Sequence, residues 1–245
     1  VNEGNIGVVG ASGTGIQEVT TIIDRMDKGV TNALGTGGRD LSTEVGAITM
    51  LDSIKALNHD PKVKVITVIS KPPAKEVEEK VLNVLRNIDK PVVTLFLGAK
   101  PTYTEENIYH AYTLDEAAQV SVQLANDETP SFKPSVLDNI SLTLSAQQDG
   151  IKGYYSGGTL ASEAAMLVKD TLGDASEGET PEGYSYKGGN HEIIDLGDDM
   201  YTQGKPHPMI DPSKRIEMLE TSSDDPATAV IMLDNVIGYG SHDDM

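Results

Sequence analysis

Three landmarks occur twice along this chain, in the same order. Ser12-Gly13-Thr14, followed by Glu18, recurs as Gly157-Gly158-Thr159, followed by Glu163. Gly38-Arg39-Asp40 has its counterpart around Asp198-Asp199. Asp60-Pro61, just ahead of an apolar run, recurs as Asp225-Pro226 ahead of another. An ordered repeat constrains architecture more than any single motif, because each copy is one supersecondary unit that needs its own core. The expectation is two similar halves in tandem, the second carrying extra residues over Thr202–Ile210.

The content of each half fixes its class. In the first, short β-branched runs (Asn5–Gly10, Thr31–Gly35, Val63–Ile69, Pro91–Leu97, Ile108–Tyr112) alternate with helical patterns over Thr14–Met26, Val45–Asn58, Lys75–Ile88 and Leu114–Leu124. Apolar strands that alternate with helices predict a parallel sheet covered on both faces. Five of them suit a flavodoxin-like, doubly wound domain over residues 1–125. Residues 126–149, opening on the polar stretch NDETPSFKP, read as a linker.

The second half, 150–245, starts the pattern again. Strands are expected over Ile151–Ser156, His191–Leu196 and Ala229–Ile237, and helices from Gly157 through Val168 and over Pro212–Leu219. Gly173–Gly189, rich in Gly, Glu and Ser, reads as a mobile surface loop. The pattern stops after its third strand, so this copy is expected to be truncated, with an uncovered sheet edge. The fold class predicted is α/β, two tandem flavodoxin-like doubly wound parallel-sheet domains.

Charge and composition exclude several functions. Acidic residues number 38 against 19 basic, a formal net charge of −19. Such a surface repels a phosphate backbone and anionic lipid, so neither nucleic acid nor membrane is an expected partner. With no cysteine, disulfides, thiolate metal sites and cysteine nucleophiles are ruled out. A cytoplasmic location is expected, from the lack of cysteine and of any signal or membrane-span pattern.

A small anion remains a suitable ligand. In GASGTG, small residues let backbone N–H groups approach a ligand, and the helix that follows adds a partial positive charge. Ser12, Gly13, Thr14 and Gly15 are therefore candidate phosphate-binding residues. Gly37 and Gly38 join them from the second strand end, and Gly157, Gly158 and Thr159 from the second copy. The equivalent turns of the two copies are expected to converge on one pocket. Arg39 could grip a phosphate or carboxylate bidentately, or pair instead with Asp40 or Glu44. Lys71, at the third strand end, could reach the same cleft. The stretch Asp195–Arg215 concentrates Asp195, Asp198, Asp199, Lys205, His207, Asp211 and Arg215. His207, between two prolines, is a candidate for acid–base work. Asp198 and Asp199 are candidate ligands for a divalent ion such as Mg2+, and Asp211 is a natural helix cap. His59 and His242 read as solvated, and His110 as a structural residue of a short strand.

The segments GNIGVVGASGTGIQEVT, NALGTGGRDLSTEVG, ISKPPA and above all HEIIDLGDDMYTQGKPHPMIDP with LDNVIGYG resemble the FdrA family over nearly the whole chain. That family is similar to succinyl-CoA synthetase, whose subunits each contain a flavodoxin-like ligase domain. Its SGTL…GIGGDP pattern resembles Ser12–Gly15 and Gly35–Asp40, and Gly158-Thr159-Leu160 resembles the same element again. The resemblance implies ligase-type halves, acyl-CoA synthetase-type chemistry, an acyl phosphate substrate, CoA and a nucleotide as cofactors, and an oligomer or partner subunits. The CoA-binding domain is expected to lie outside this chain. The family's phosphohistidine loop, GHAGA, has no match after LFLGAK, and Ser70-Lys71 stand where a steadying glutamate is expected. Carbamoyl transfer from carbamoyl phosphate to oxamate is the alternative function implied, and a non-catalytic assembly module a further one.

Overall fold

The computed structural model describes residues 1–245 apart from 99, 102, 104, 135–140, 174–179 and 244–245. It divides into two compact units, Val1–Val136 and Leu137–Met245, with the division inside the expected linker.

In the first unit, β1 (Asn2–Gly10), β2 (Gly29–Gly35), β3 (Val65–Ser70), β4 (Val92–Phe96) and β5 (Ile108–His110) form one sheet in the order β2-β1-β3-β4-β5. Every pairing is parallel. This is the doubly wound order, with its switch point where the chain moves from one side of β1 to the other. The central strand β3 is buried along its whole length, so it has no polar face to alternate with. One face packs against α2 (Ile48–His59) and α3 (Lys75–Leu85), through Met50, Ile54, Leu57, Val77, Val81 and Leu85. The other carries α1 (Gly13–Arg25) and α4 (Leu114–Ala125), where the Thr67 and Ser121 hydroxyls share a buried hydrogen bond of 2.7 Å. The linker's first residues fold back on α4: Gln123 bonds both the N–H and the carbonyl of Ser131, at 2.8 and 2.9 Å.

The second unit holds β6 (Gly150–Tyr155), α5 (Gly158–Leu172), β7 (Tyr184–Gly188), β8 (His191–Asp195), α6 (Asp199–Thr202), α7 (Ser213–Asp224) and β9 (Thr228–Leu233), with sheet order β7-β8-β6-β9. Strand β6 pairs in parallel with β8 and β9, reproducing the β2-β1-β3 core of the first unit. The expected loop over Gly173–Gly189 is corrected in its second part, since Tyr184–Gly188 form a strand antiparallel to β8. The two-residue turn Gly189-Asn190 closes that hairpin, with Gly189 at φ +55, a geometry that favours glycine. The hairpin buries Tyr186 completely against Ala161, Ala165 and Val168 of α5. The rest of the expected loop, 174–179, lies outside the described residues. Strand β9 ends the sheet, with Val230, Ile231 and Leu233 exposed. Among the described residues, no helix is long and apolar enough to cross a membrane.

Candidate functional site

In the first unit the expected residues meet at the carboxyl edge of the sheet. Gly10 sits beside Gly35 on one neighbour and Ile69 on the other, so three connections leave from adjacent strand ends. The turn is tight at its base, where a Cβ on Gly10 would lie 2.7 Å from the Ile69 carbonyl. It is open at its front. Gly13 is exposed, and a Cβ there would meet nothing within 4 Å. Ser12 caps α1 itself, its hydroxyl accepting from the Gly15 N–H at 2.9 Å. The second turn is tied to the first by the Thr36 N–H, which donates to the Gly10 carbonyl at 2.9 Å. Gly37, at φ +82, and Gly38 likewise face open space.

The neighbouring charges are sorted by this geometry. The Asp40 carboxylate accepts from the Thr49 and Met50 N–H groups at 2.9 and 2.8 Å, capping α2, whose own cap residue Ala47 offers no side-chain acceptor. Asp40 is thereby held by the helix, and Arg39 is exposed without an ion pair among the described residues. Lys71 is exposed at the end of β3, the strand beside β1.

The second unit's turn differs at the point where a ligand anion was expected. Gly157 has no side chain with which to cap α5, and the Asp234 carboxylate bonds the backbone just ahead of the helix. It accepts from the Ser156 and Gly157 N–H groups, each at 2.7 Å. The Arg215 guanidinium donates to Asp234 Oδ1 at 3.1 Å and to its carbonyl at 2.6 Å, and both side chains are buried. The anion seat over Ser156-Gly157 is therefore filled from within. A phosphate at Ser156-Gly157 would have to displace a carboxylate neutralised by Arg215.

His207 lies close by. Its Nδ1 accepts from the Met209 N–H at 3.2 Å. A Cβ built on Gly197 would stand 2.9 Å from His207 Nε2 and 3.2 Å from Asp195 Oδ1, which places the imidazole and that carboxylate around one glycine. Burial lowers the His207 pKa against the opposing pull of Asp195 and Asp234, so the ring is neutral near pH 7. Pro206 and Pro208 line a separate cavity of about 260 Å³ with Lys205, Tyr201 and Asp211. Asp198, one of the two candidate metal ligands, caps α6 by accepting from the Met200 N–H at 2.9 Å. Among the described residues, no group of three or more metal-ligating side chains forms.

His110, expected as a structural residue of a short strand, stands in a polar cluster. Thr94 and His110 are register partners on β4 and β5, and Thr94 Oγ1 lies 2.8 Å from His110 Nδ1. His110 Nε2 is 3.3 Å from Glu105 Oε1, and Arg86 clamps Glu105 at 2.7 and 3.2 Å. Hydrogen bonding from Arg86 lowers the Glu105 pKa, and burial lowers that of His110. The spacing of Thr94 and His110 along the chain held no signal for this, because the pairing of β4 with β5 brings those two together.

Tandem doubly wound units with glycine-rich turns at their carboxyl edges define a class of nucleotide- and coenzyme-binding α/β proteins. The family described as CoA binding domain matches residues 1–98, and that described as CoA-ligase matches residues 154–245. The first match overturns the expectation that CoA-binding sequence lies outside the chain. It also gives the first half a CoA-binding rather than a ligase description. The chain is 42% identical over 255 residues to the uncharacterized protein YahF of Escherichia coli (strain K12), covering 100% of this chain and 50% of that one. It is 30% identical over 109 residues to the succinate–CoA ligase [ADP-forming] subunit alpha of Staphylococcus epidermidis, covering 44% and 34% of the respective chains. A solved dinucleotide-forming acetyl-coenzyme A synthetase 1 from Ca. Korarchaeum cryptofilum, in complex with phosphate and ADP, is 13% identical with a TM-score of 0.39, covering 96% of this chain and 51% of that one. The chain thus spans about half the length of YahF. The two family matches and the succinate–CoA ligase relative support a place in the acyl-CoA synthetase and succinyl-CoA ligase superfamily.

Proposed function

We propose that the first unit binds the phosphate of an acyl phosphate at Ser12–Gly15, as part of an acyl-CoA synthetase-like protein of the FdrA type. The observation that carries this reading is the open front of the α1 turn, where Gly13 faces free space at the carboxyl edge of a parallel sheet. A 13-residue helix presents its first N–H groups there, and its dipole favours negative charge. Arg39, on the adjoining loop, neutralises the charge that builds on the departing phosphate, and Lys71 adds a second cation from the end of β3. CoA, when bound, supplies the thiolate that takes the acyl group. Residues 1–98, which match the CoA-binding description, contain this open turn, and it suits the phosphates of that cofactor as well.

Carbamoyl transfer is the second reading. It is favoured by the absence of histidine from both glycine-rich segments, Gly10–Gly15 and Gly35–Asp40. An anion cradle without a carrier histidine suits direct transfer from carbamoyl phosphate. Two assays on the full chain with its partner subunits separate the readings. Thioester formed from acetyl phosphate and CoA supports the first. Product formed from carbamoyl phosphate and oxamate supports the second. No turnover in either assay, with both ligands bound, leaves a non-catalytic assembly role.

A further inference from the structure

We propose that Thr94, His110 and Glu105 form a nucleophile–base–carboxylate relay, serving a second site that takes small acyl esters or thioesters. The site lies at the carboxyl ends of β4 and β5, apart from the glycine-rich turns, and does not depend on the function assigned to them. A cavity of about 540 Å³ opens there, lined by Thr94, His110, Tyr103, Phe96, Pro72 and Pro73.

The surroundings make this pair stand out. On the sheet face that packs against α3, Ile66, Val68, Val92 and Ile108 are buried and apolar. Thr94 and His110 continue that face toward the carboxyl edge, and the apolar lining gives way to two polar groups at the mouth of the cavity. Register accounts for the contact between them. It does not account for Glu105 on the far nitrogen of the imidazole, nor for Arg86 holding both oxygens of that carboxylate. A nucleophile bonded to a base, with the base oriented by a third group, is the arrangement nucleophilic catalysis requires. Tyr103 packs against the ring, with centroids 4.6 Å apart and the planes tilted by 59°. The groups facing His110 are Glu105, Arg86 and Glu78, and Lys100 lines the same cavity. Thr94 is only 1% exposed, so the reacting carbonyl must enter the cavity to meet it.

In the neutral ring, Nδ1 accepts from the Thr94 hydroxyl while Nε2–H donates to Glu105. Thr94 Oγ bonds to the acyl carbon and its proton passes to His110 Nδ1. The bond from that carbon to the thiolate or alkoxide breaks, and the leaving group takes the proton from Nδ1. Water then attacks the Thr94 ester by the same route, releasing the free acid and restoring the hydroxyl.

The test incubates the full chain with p-nitrophenyl acetate, quenches it, and locates acetyl groups by peptide mass spectrometry. One acetyl group on the Thr94 side chain is expected. Thr94→Ser keeps an adduct at that position, and Thr94→Val abolishes it. His110→Gln slows p-nitrophenolate release by roughly 10²–10⁴-fold, whereas His59→Gln, at an exposed histidine remote from the relay, leaves the rate unchanged. Acetylation confined to lysines, no adduct at all, or undiminished release by Thr94→Val overturns the proposal. The adduct map of the unmodified protein decides the matter even if a variant fails to fold.

Discussion

Asp40 and Asp234 each give a carboxylate to backbone N–H groups at the start of a helix whose own cap residue offers none, Asp40 to the first turn of α2 and Asp234 to Ser156 and Gly157 just ahead of α5. Asp40→Ala removes the acceptor of two backbone N–H groups and is expected to cost about 1–2 kcal/mol, read as a shift of the urea midpoint. Asp234→Ala is expected to cost more, about 3–5 kcal/mol, because it also removes the carboxylate paired with the buried Arg215 guanidinium. The Ser12 cap was legible in the sequence, since its partner is the Gly15 N–H three residues on. The Asp234 cap was not, because its partners stand 77 and 78 residues away and no local pattern marks them. The Thr94–His110–Glu105 cluster was hidden for a different reason: Thr94 and His110 meet only through the pairing of β4 with β5, 16 residues apart. Titration belongs to this scale as well. Burial depresses the pKa of both His110 and His207 below the ordinary 6.5, so between the two values the folded state binds fewer protons than the unfolded. Their contribution to stability is full above that ordinary value and is lost as pH falls through the lower, folded ones. Urea midpoints measured across acid pH are expected to fall for this reason, and His207→Gln to flatten the fall.

Elements were read well where the apolar period was plain, and less well at their ends. The α2 pattern shows why. Val45, Ile48, Leu51, Ile54 and Leu57 recur in steps of three within the helical pattern expected over Val45–Asn58. A helix advances about 100° per residue, so each step of three drifts about 60° around the axis, and five such positions cannot all face one core. The helix begins at Ile48, which is 62% exposed, and the stripe that packs is Met50, Ile54 and Leu57. Ile54→Ala is expected to cost about 2–5 kcal/mol, and Ile48→Ala less than about 0.5 kcal/mol. Chemical denaturation of the two variants makes the comparison. Strand β7 was hidden by the polar composition of the segment before it, although Gly189-Asn190 between two short runs was a hairpin signal in plain view.

At the scale of the molecule, the duplicated landmarks predicted two α/β units, and the units share a three-strand parallel core, β2-β1-β3 in one and β8-β6-β9 in the other. The functional equivalence of the two turns did not follow from the repeat. In one copy the seat before the helix is open, and in the other an internal carboxylate fills it. The phosphate site proposed above therefore belongs to the first unit. The most direct test is a titration of the full chain with acetyl phosphate, followed through the backbone amide resonances by heteronuclear NMR. The account predicts saturable shifts that are largest at the Gly13, Thr14 and Gly15 amides, and their loss in Gly13→Val with the fold retained. Shifts centred on Ser156 and Gly157, or an affinity unchanged by Gly13→Val, would contradict it.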